Sequence, residues 1–270
     1  MSTLVACDLD QTLVYSARSA GAPVTDAVCV ELYQGRPQSF VTATAAAAVA
    51  AVTGTGGFVP VTSRTREQLA RITLPGPPPR YAVAANGGRL LVDGVEDAGW
   101  SAAVARRRDE HTPLAEVERH VAQLCRPEWT THRKVAEDLF VYAVVDLERL
   151  PADVVPHAAA WAGEHGWSFS AQGRKLYWIP RGVSKGAAAQ EVAERTGADT
   201  VLAAGDSLLD RDLLEVADHG WLPRHGELHT HGWSAAHVTV TEGTGLAAGE
   251  EIALALAARS AGVGARAAGQ

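Results

Sequence analysis

An apolar run that ends in acid opens the chain. Residues 4–9 read Leu-Val-Ala-Cys-Asp-Leu, and Asp8 and Asp10 stand at the far end of the run. A segment apolar at consecutive rather than alternate positions fits a strand buried on both faces, as in a parallel sheet covered by helices. Ligands of such sheets bind outside the carboxyl ends of the strands. Two aspartates placed there, two residues apart, can be brought to one reacting group.

The same texture recurs. Residues 58–62, 81–85 and 200–204 read as further buried strands, and 43–52, 66–72, 184–195, 208–217 and 247–258 as helices. Residues 28–32 and 39–42 flank Gln34-Gly35-Arg36-Pro37 and predict a hairpin, and the segment 14–40 that contains it is expected to act as a flap over the site. The middle is different. Helices at 100–108, 114–125 and 154–164 alternate with paired strands at 130–135, 139–145, 167–170 and 175–179, an antiparallel pattern. The predicted fold class is therefore α/β: a doubly wound parallel-sheet (Rossmannoid) core over residues 1–92 and 180–270, with an inserted α/β cap over 93–179. The Gly/Ala-rich end from residue 262 is expected to fray.

Composition narrows the function. The chain has 270 residues, a formal charge of -7 and 47% hydrophobic residues, which excludes a disordered tail and disfavours nucleic acid as a partner. No apolar run approaches the ~18–20 residues of a membrane span, and no basic stretch follows Met1 as in a secretory signal. Cys7, Cys29 and Cys125 show no CxxC spacing, so a reducing cytoplasm is expected, with neither disulfides nor a zinc site. A monomer or homodimer is expected.

Four segments carry polar chemistry at predicted strand ends. The first is Asp8-Leu9-Asp10-Gln11-Thr12. The second, Thr62-Ser63-Arg64, offers hydroxyls that suit an anionic oxygen or, equally, a helix N-cap. In the third, Lys185 opens a helix, where a cation opposes the macrodipole; it either meets solvent or answers a phosphate or carboxylate cluster. The fourth is Gly205-Asp206-Ser207-Leu208-Leu209-Asp210. Its two aspartates lie one helical turn apart and suit a hard cation such as Mg²⁺, although Asp206 also fits an N-cap. In the middle segment, Arg133 and Lys175 supply cations suited to a second anionic group.

Taken together and in this order, DxDxT, TSR, the lysine and GDSxxD resemble the four signature motifs of the haloacid dehalogenase superfamily of phosphohydrolases. The Asn86-Gly87-Gly88 turn is similar to that of the Cof-like subgroup, which carries a large inserted cap. Thr62-Ser63-Arg64 resembles the mannosyl-3-phosphoglycerate phosphatase and sucrose phosphatase branches. The resemblance implies a phosphatase for a small phosphorylated metabolite, with a phosphomutase-type phosphotransferase or a catalytically idle binding fold as the alternatives. It implies Asp8 as the nucleophile, Asp10 as acid and base, and Thr62 and Lys185 on the phosphoryl group. It further implies Mg²⁺ held by Asp8, Asp206, Asp210 and the backbone carbonyl of Asp10. Thr12, Ser63, Arg64, Asn86, Arg133 and Lys175 are the expected phosphate- or substrate-binding residues.

Overall fold

The computed structural model describes residues 2–267. The chain forms two compact units, Met1–Glu96 with Lys185–Gln270, and Asp97–Ser184. The first unit opens with β1 (Thr3–Cys7), the hairpin β2 (Val28–Tyr33) and β3 (Arg36–Val41), and α1 (Ala43–Gly54). It continues through β4 (Phe58–Pro60), α2 (Arg66–Leu69), β5 (Tyr81–Ala84), β6 (Arg89–Val92) and β7 (Val95–Glu96). The second unit holds α3 (Ala98–Asp109), α4 (Leu114–Leu124), β8 (Thr130–Ala136), β9 (Phe140–Val145), α5 (Val154–Glu164), β10 (Trp167–Gln172) and β11 (Lys175–Pro180). The first unit resumes with α6 (Lys185–Thr196), β12 (Thr200–Ala204), α7 (Arg211–Glu215) and β13 (His219–Leu222). It closes with α8 (Glu227–Thr230), β14 (Val238–Val240) and α9 (Leu246–Ala267).

The main sheet of the first unit runs β14-β13-β12-β1-β4, and every pairing is parallel. A bridge from Val61 to Val83 carries the sheet on toward β5. Chain order runs outward in opposite directions on the two sides of β1, so β1 and β12 flank a topological switch point. Val5 pairs with Leu202 and Phe58, and Cys7 with Ala204; this row packs against Val49 and Val52 of α1 and Ile252 and Leu256 of α9. Residues of α6 and α7, among them Ala188, Val192 and Leu213, are equally buried. The fold class read from the sequence is the one found.

Local chemistry explains several boundaries. Thr42 caps α1 by accepting the Ala45 N–H at 3.0 Å, and Thr65 and Gln68 form a capping box on α2. The helix expected over 66–72 stops at Leu69, because the next residues pair with the hairpin: the Thr73 N–H donates to the Val30 carbonyl at 2.8 Å. The hairpin is tied on its other side as well, where Tyr15 and Phe40 exchange backbone hydrogen bonds of 2.9 and 2.8 Å. The hairpin is thus anchored along both edges. The helix expected over 208–217 begins as a 3₁₀ turn, Leu208–Asp210, and α8 is a single four-residue turn with no signal in the sequence pattern. The last helix, α9, spans Leu246–Ala267, and residues 268–270 lie outside the described residues.

The second unit is an antiparallel sheet, β10-β11-β9-β8, with Trp167, Trp178, Val141 and Ala143 fully buried. Trp167 donates its indole N–H to the Thr112 carbonyl at 2.9 Å, which satisfies its one polar atom. No described helix is long and apolar enough to cross a membrane.

Phe58, 2% exposed in the middle of the β1–α1–α9 packing, tests this description of the core. Phe58→Ala is expected to lower unfolding free energy by about 3–5 kcal/mol, read from urea denaturation. A loss below about 1 kcal/mol would contradict the packing described.

Candidate active site

Parallel register brings the motif residues to one edge. The Asp8 N–H donates to the Ala204 carbonyl at 2.9 Å, so the ends of β1 and β12 are locked side by side and Asp8 faces the loop that carries Asp206. Across β4, the Thr62 N–H donates to Val83 at 2.9 Å, and the Asn86 N–H donates back to the Thr62 carbonyl at 2.9 Å. Ala85 and Asn86 both adopt positive φ, 52° and 57°. This uncommon backbone lets the turn hold the Thr62–Arg64 loop, with the Ala85 N–H on the Arg64 carbonyl at 2.7 Å.

At the centre lies a buried ammonium. Lys185 Nζ donates to Asp8 Oδ1 at 2.6 Å and to Asp210 Oδ1, and the three residues are 1%, 4% and 0% exposed. Burial alone would lower the Lys185 pKa, but Asp210 and Asp8 outweigh it and hold it well above its ordinary value. Asp210 is pinned on its other oxygen by the Ser207 N–H at 2.9 Å and the Ser207 hydroxyl at 2.7 Å. Asp206, 7% exposed, accepts the Thr12 hydroxyl at 3.3 Å, so that hydroxyl serves a carboxylate of the cluster.

Two glycines permit this closeness. A Cβ on Gly205 would lie 2.3 Å from Asp210 Cβ, and one on Gly186 would lie 2.5 Å from the Asp212 carbonyl oxygen. The Asp212 carboxylate accepts the Gly186 N–H at 3.0 Å, placing a negative charge at the start of α6 where Lys185 stands.

Asp10 has a different environment. Its side chain is 47% exposed, and both oxygens accept from Arg64, Nε at 2.6 Å and Nη2 at 2.7 Å. The same guanidinium donates to Glu31 of β2 at 2.9 and 3.0 Å. Arg64 therefore spans two carboxylates, one on the loop after β1 and one on the hairpin. Thr62 is fully buried, and its hydroxyl accepts the Arg64 N–H at 3.1 Å; Ser63 is half-buried beside it.

The carboxylate oxygens of Asp8, Asp206 and Asp210 lie within 4.8 Å of one another, a group that could hold a metal ion. The carboxylate of Asp10 is not part of the group; it is on Arg64. The donor set fits a hard divalent cation: oxygen ligands only, preassembled and short of positive charge. Burial pushes the Asp8 carboxyl up to about 7, with Lys185 opposing and Asp210 and Asp10 adding to the rise. Burial and then the charges of Asp210 and Asp8 raise Asp206 well above the carboxylate range.

In the second unit, register separates two expected substrate contacts. Arg133 pairs with Ala143 and lies in the row of Leu176, whereas Lys175 pairs with Val144 in the row of His132. The two side chains stand on opposite faces of one sheet. The motifs do not contain Glu31, Ser39, Arg71 or Asp212, and they give Ser207 no role. Of these, only Ser207 has a local signal, as the serine of GDSxxD. Nor did they give the Arg224–Glu227 loop its place. There His225 Nε2 lies 3.1 Å from the Gln11 carbonyl, the Gly245 N–H meets its Nδ1 at 3.3 Å, and Glu227 accepts the Leu208 N–H at 3.2 Å. This loop buttresses the two aspartate-bearing turns.

No family model matches the chain, and no curated protein matches it in sequence. Solved structures do. The sucrose-phosphatase from Synechocystis, determined with sucrose and phosphate, aligns at a TM-score of 0.67 and 16% identity, over 95% of this chain and 98% of its own. A trehalose-6-phosphate phosphatase related protein aligns at 0.55 and 18% identity, over 97% and 99%. A phosphatase of the haloalkanoate (HAD) superfamily from Bacteroides thetaiotaomicron aligns at 0.54 and 17% identity, over 96% of each chain. The chain thus shares its fold with these phosphatase structures, at identities of 16–18%.

The raised carboxyl pKa of Asp8 makes a prediction about pH. Asp8 binds its proton more tightly folded than unfolded, so it favours the folded state below pH ~4 and loses that advantage as pH rises through about 7. In EDTA, Tm should fall between pH 5 and 8, and Asp8→Asn should flatten the slope. An identical slope in the variant would refute this electrostatic description.

Proposed function

We propose that the chain is a Mg²⁺-dependent phosphoric monoester hydrolase. Its substrate in this reading is a small phosphorylated metabolite, a sugar phosphate or glycosyl-phosphoglycerate. One observation carries the proposal: three carboxylates, Asp8, Asp206 and Asp210, lie within 4.8 Å of one another at the sheet's switch point, with the ammonium of Lys185 on two of them. Such crowding is costly for a fold and useful for a phosphate ester, whose charge has to be neutralised before a carboxylate can attack it. The substrate class draws support from the sucrose-phosphatase of the same fold.

Mg²⁺ held by Asp8, Asp206, Asp210 and the backbone carbonyl of Asp10 would supply positive charge to the phosphoryl oxygens. The chain's own residues do the rest. Lys185 fixes one Asp8 oxygen, leaving the other to attack phosphorus. As the Asp8–phosphorus bond forms and the ester P–O bond breaks, Asp10 gives its proton to the leaving oxygen. Water then attacks the aspartyl-phosphate, its proton passes to Asp10, and Asp8 is restored. The Thr62 hydroxyl, which accepts the Arg64 N–H and keeps its own proton to donate, is suited to hydrogen-bond a phosphoryl oxygen. Ser63, Asn86 and, from the second unit, either Arg133 or Lys175 are proposed substrate contacts.

Phosphate release from a panel of sugar phosphates tests the reading. Wild type should turn over with Mg²⁺ and not in EDTA, Asp8→Asn should be silent, and Asp10→Asn should lose about 10²–10⁴-fold. Silence of folded wild type across the panel with Mg²⁺ would overturn it, and transfer to a sugar hydroxyl without phosphate release would assign a phosphotransferase.

A further inference from the structure

Arg64 spends four of its N–H donors on two carboxylates, and those carboxylates are held very differently. Glu31 is 2% exposed. Besides Arg64 it accepts the Ser39 hydroxyl at 2.6 Å and Arg71 Nε at 3.1 Å, and it stands on a hairpin anchored along both edges. Asp10 is half exposed, and both of its carboxylate oxygens rest on Arg64. When this group rearranges, Glu31 stays with Arg64 and Asp10 is the member free to move.

We propose that Glu31 is a positioning residue for the reaction: it retains Arg64 on the hairpin, and so lets Asp10 turn to the leaving oxygen. The charges agree with this assignment. Arg64 and Arg71 are matched by Asp10 and Glu31, two cations against two anions. Without Glu31, Arg64 is left with Asp10 as the carboxylate it already grips through two N–H groups, and the bidentate fork stays closed on it. Asp10 would then be held as an ion-pair partner instead of serving the substrate. Glu31 takes up no proton and touches no reacting atom; it acts through Arg64. The inference rests on the hydrolase reading and adds a residue that the motifs do not contain.

The test uses aryl phosphates that differ in leaving group. Reading kcat/KM isolates the first transfer to Asp8, and 2,4-dinitrophenolate leaves without a proton whereas phenolate needs one. Glu31→Gln should lower kcat/KM for phenyl phosphate roughly tenfold or more and leave 2,4-dinitrophenyl phosphate within about threefold, the pattern expected of Asp10→Asn. Glu31→Asp, which keeps the charge, should recover part of the loss. Equal losses on both substrates in a folded Glu31→Gln protein would show a merely structural role and overturn the proposal, as would no loss on either. If Glu31→Gln does not fold, Ser39→Ala removes one of the pins on Glu31, and the same leaving-group contrast, smaller in size, decides. Wild type that hydrolyses neither ester would fail the hydrolase reading itself, whereas an active wild type with uniform losses fails only this inference.

Discussion

One buried ammonium holds the first unit's chemistry together. Lys185 lies at the first position of α6, where the helix dipole opposes a cation, and it is 1% exposed. Nothing in helix formation asks for it there. What keeps it is the pair Asp8 and Asp210, drawn from the segments that follow β1 and β12, just over two hundred residues apart in sequence. Removing one partner of such a group leaves an uncompensated charge inside the protein, typically a loss of about 3–5 kcal/mol. The surrounding details follow from that constraint. Gly186 and Gly205 lack side chains where backbone and carboxylate crowd closest, Asp212 offsets the helix start, and Ser207 satisfies the remaining Asp210 oxygen.

The sheet explains how distant segments reach this point. With all five strands parallel, every carboxyl end lies on one edge, and neighbouring strands deliver residues that no local sequence relation connects. At the switch between β1 and β12 the connections depart to opposite sides, which leaves a crevice for a ligand. Tight backbone bonds then fix the loops: Asp8 on Ala204, Thr62 on Val83, and Asn86 on Thr62. The Ala85–Asn86 backbone, held at positive φ at two successive non-glycine residues, is strain of the kind found where a loop has to be aimed.

What could be read from sequence had a local signature. Apolar runs with polar ends gave β1, β4, β5 and β12, and the spacing of Asp206 and Asp210 gave their meeting. Other features had none. Glu31 sits in a hairpin with no motif, and its partners Ser39, Arg64 and Arg71 come from three further elements that only the fold assembles. Arg133 and Lys175 look equivalent in sequence, but strand register decides which face each occupies, and a shift of one residue would exchange them. The early end of α2 was likewise invisible, because a backbone partner from β2 competes with the helix for the residues that follow Leu69.

Asp8 and Asp10 show why composition and spacing do not assign roles. They are the same residue type, two positions apart, on one strand end. Asp8 is buried against an ammonium and two further carboxylates, which fixes one oxygen and leaves little freedom to turn. Asp10 is half exposed and held by a single side chain that is itself shared with Glu31. A nucleophile needs a fixed approach to phosphorus, whereas an acid that later becomes a base has to exchange protons with substrate and water in turn. The rigid aspartate suits the first task and the releasable one the second. The difference between them comes from Lys185 on one side and from the Arg64–Glu31 pair on the other.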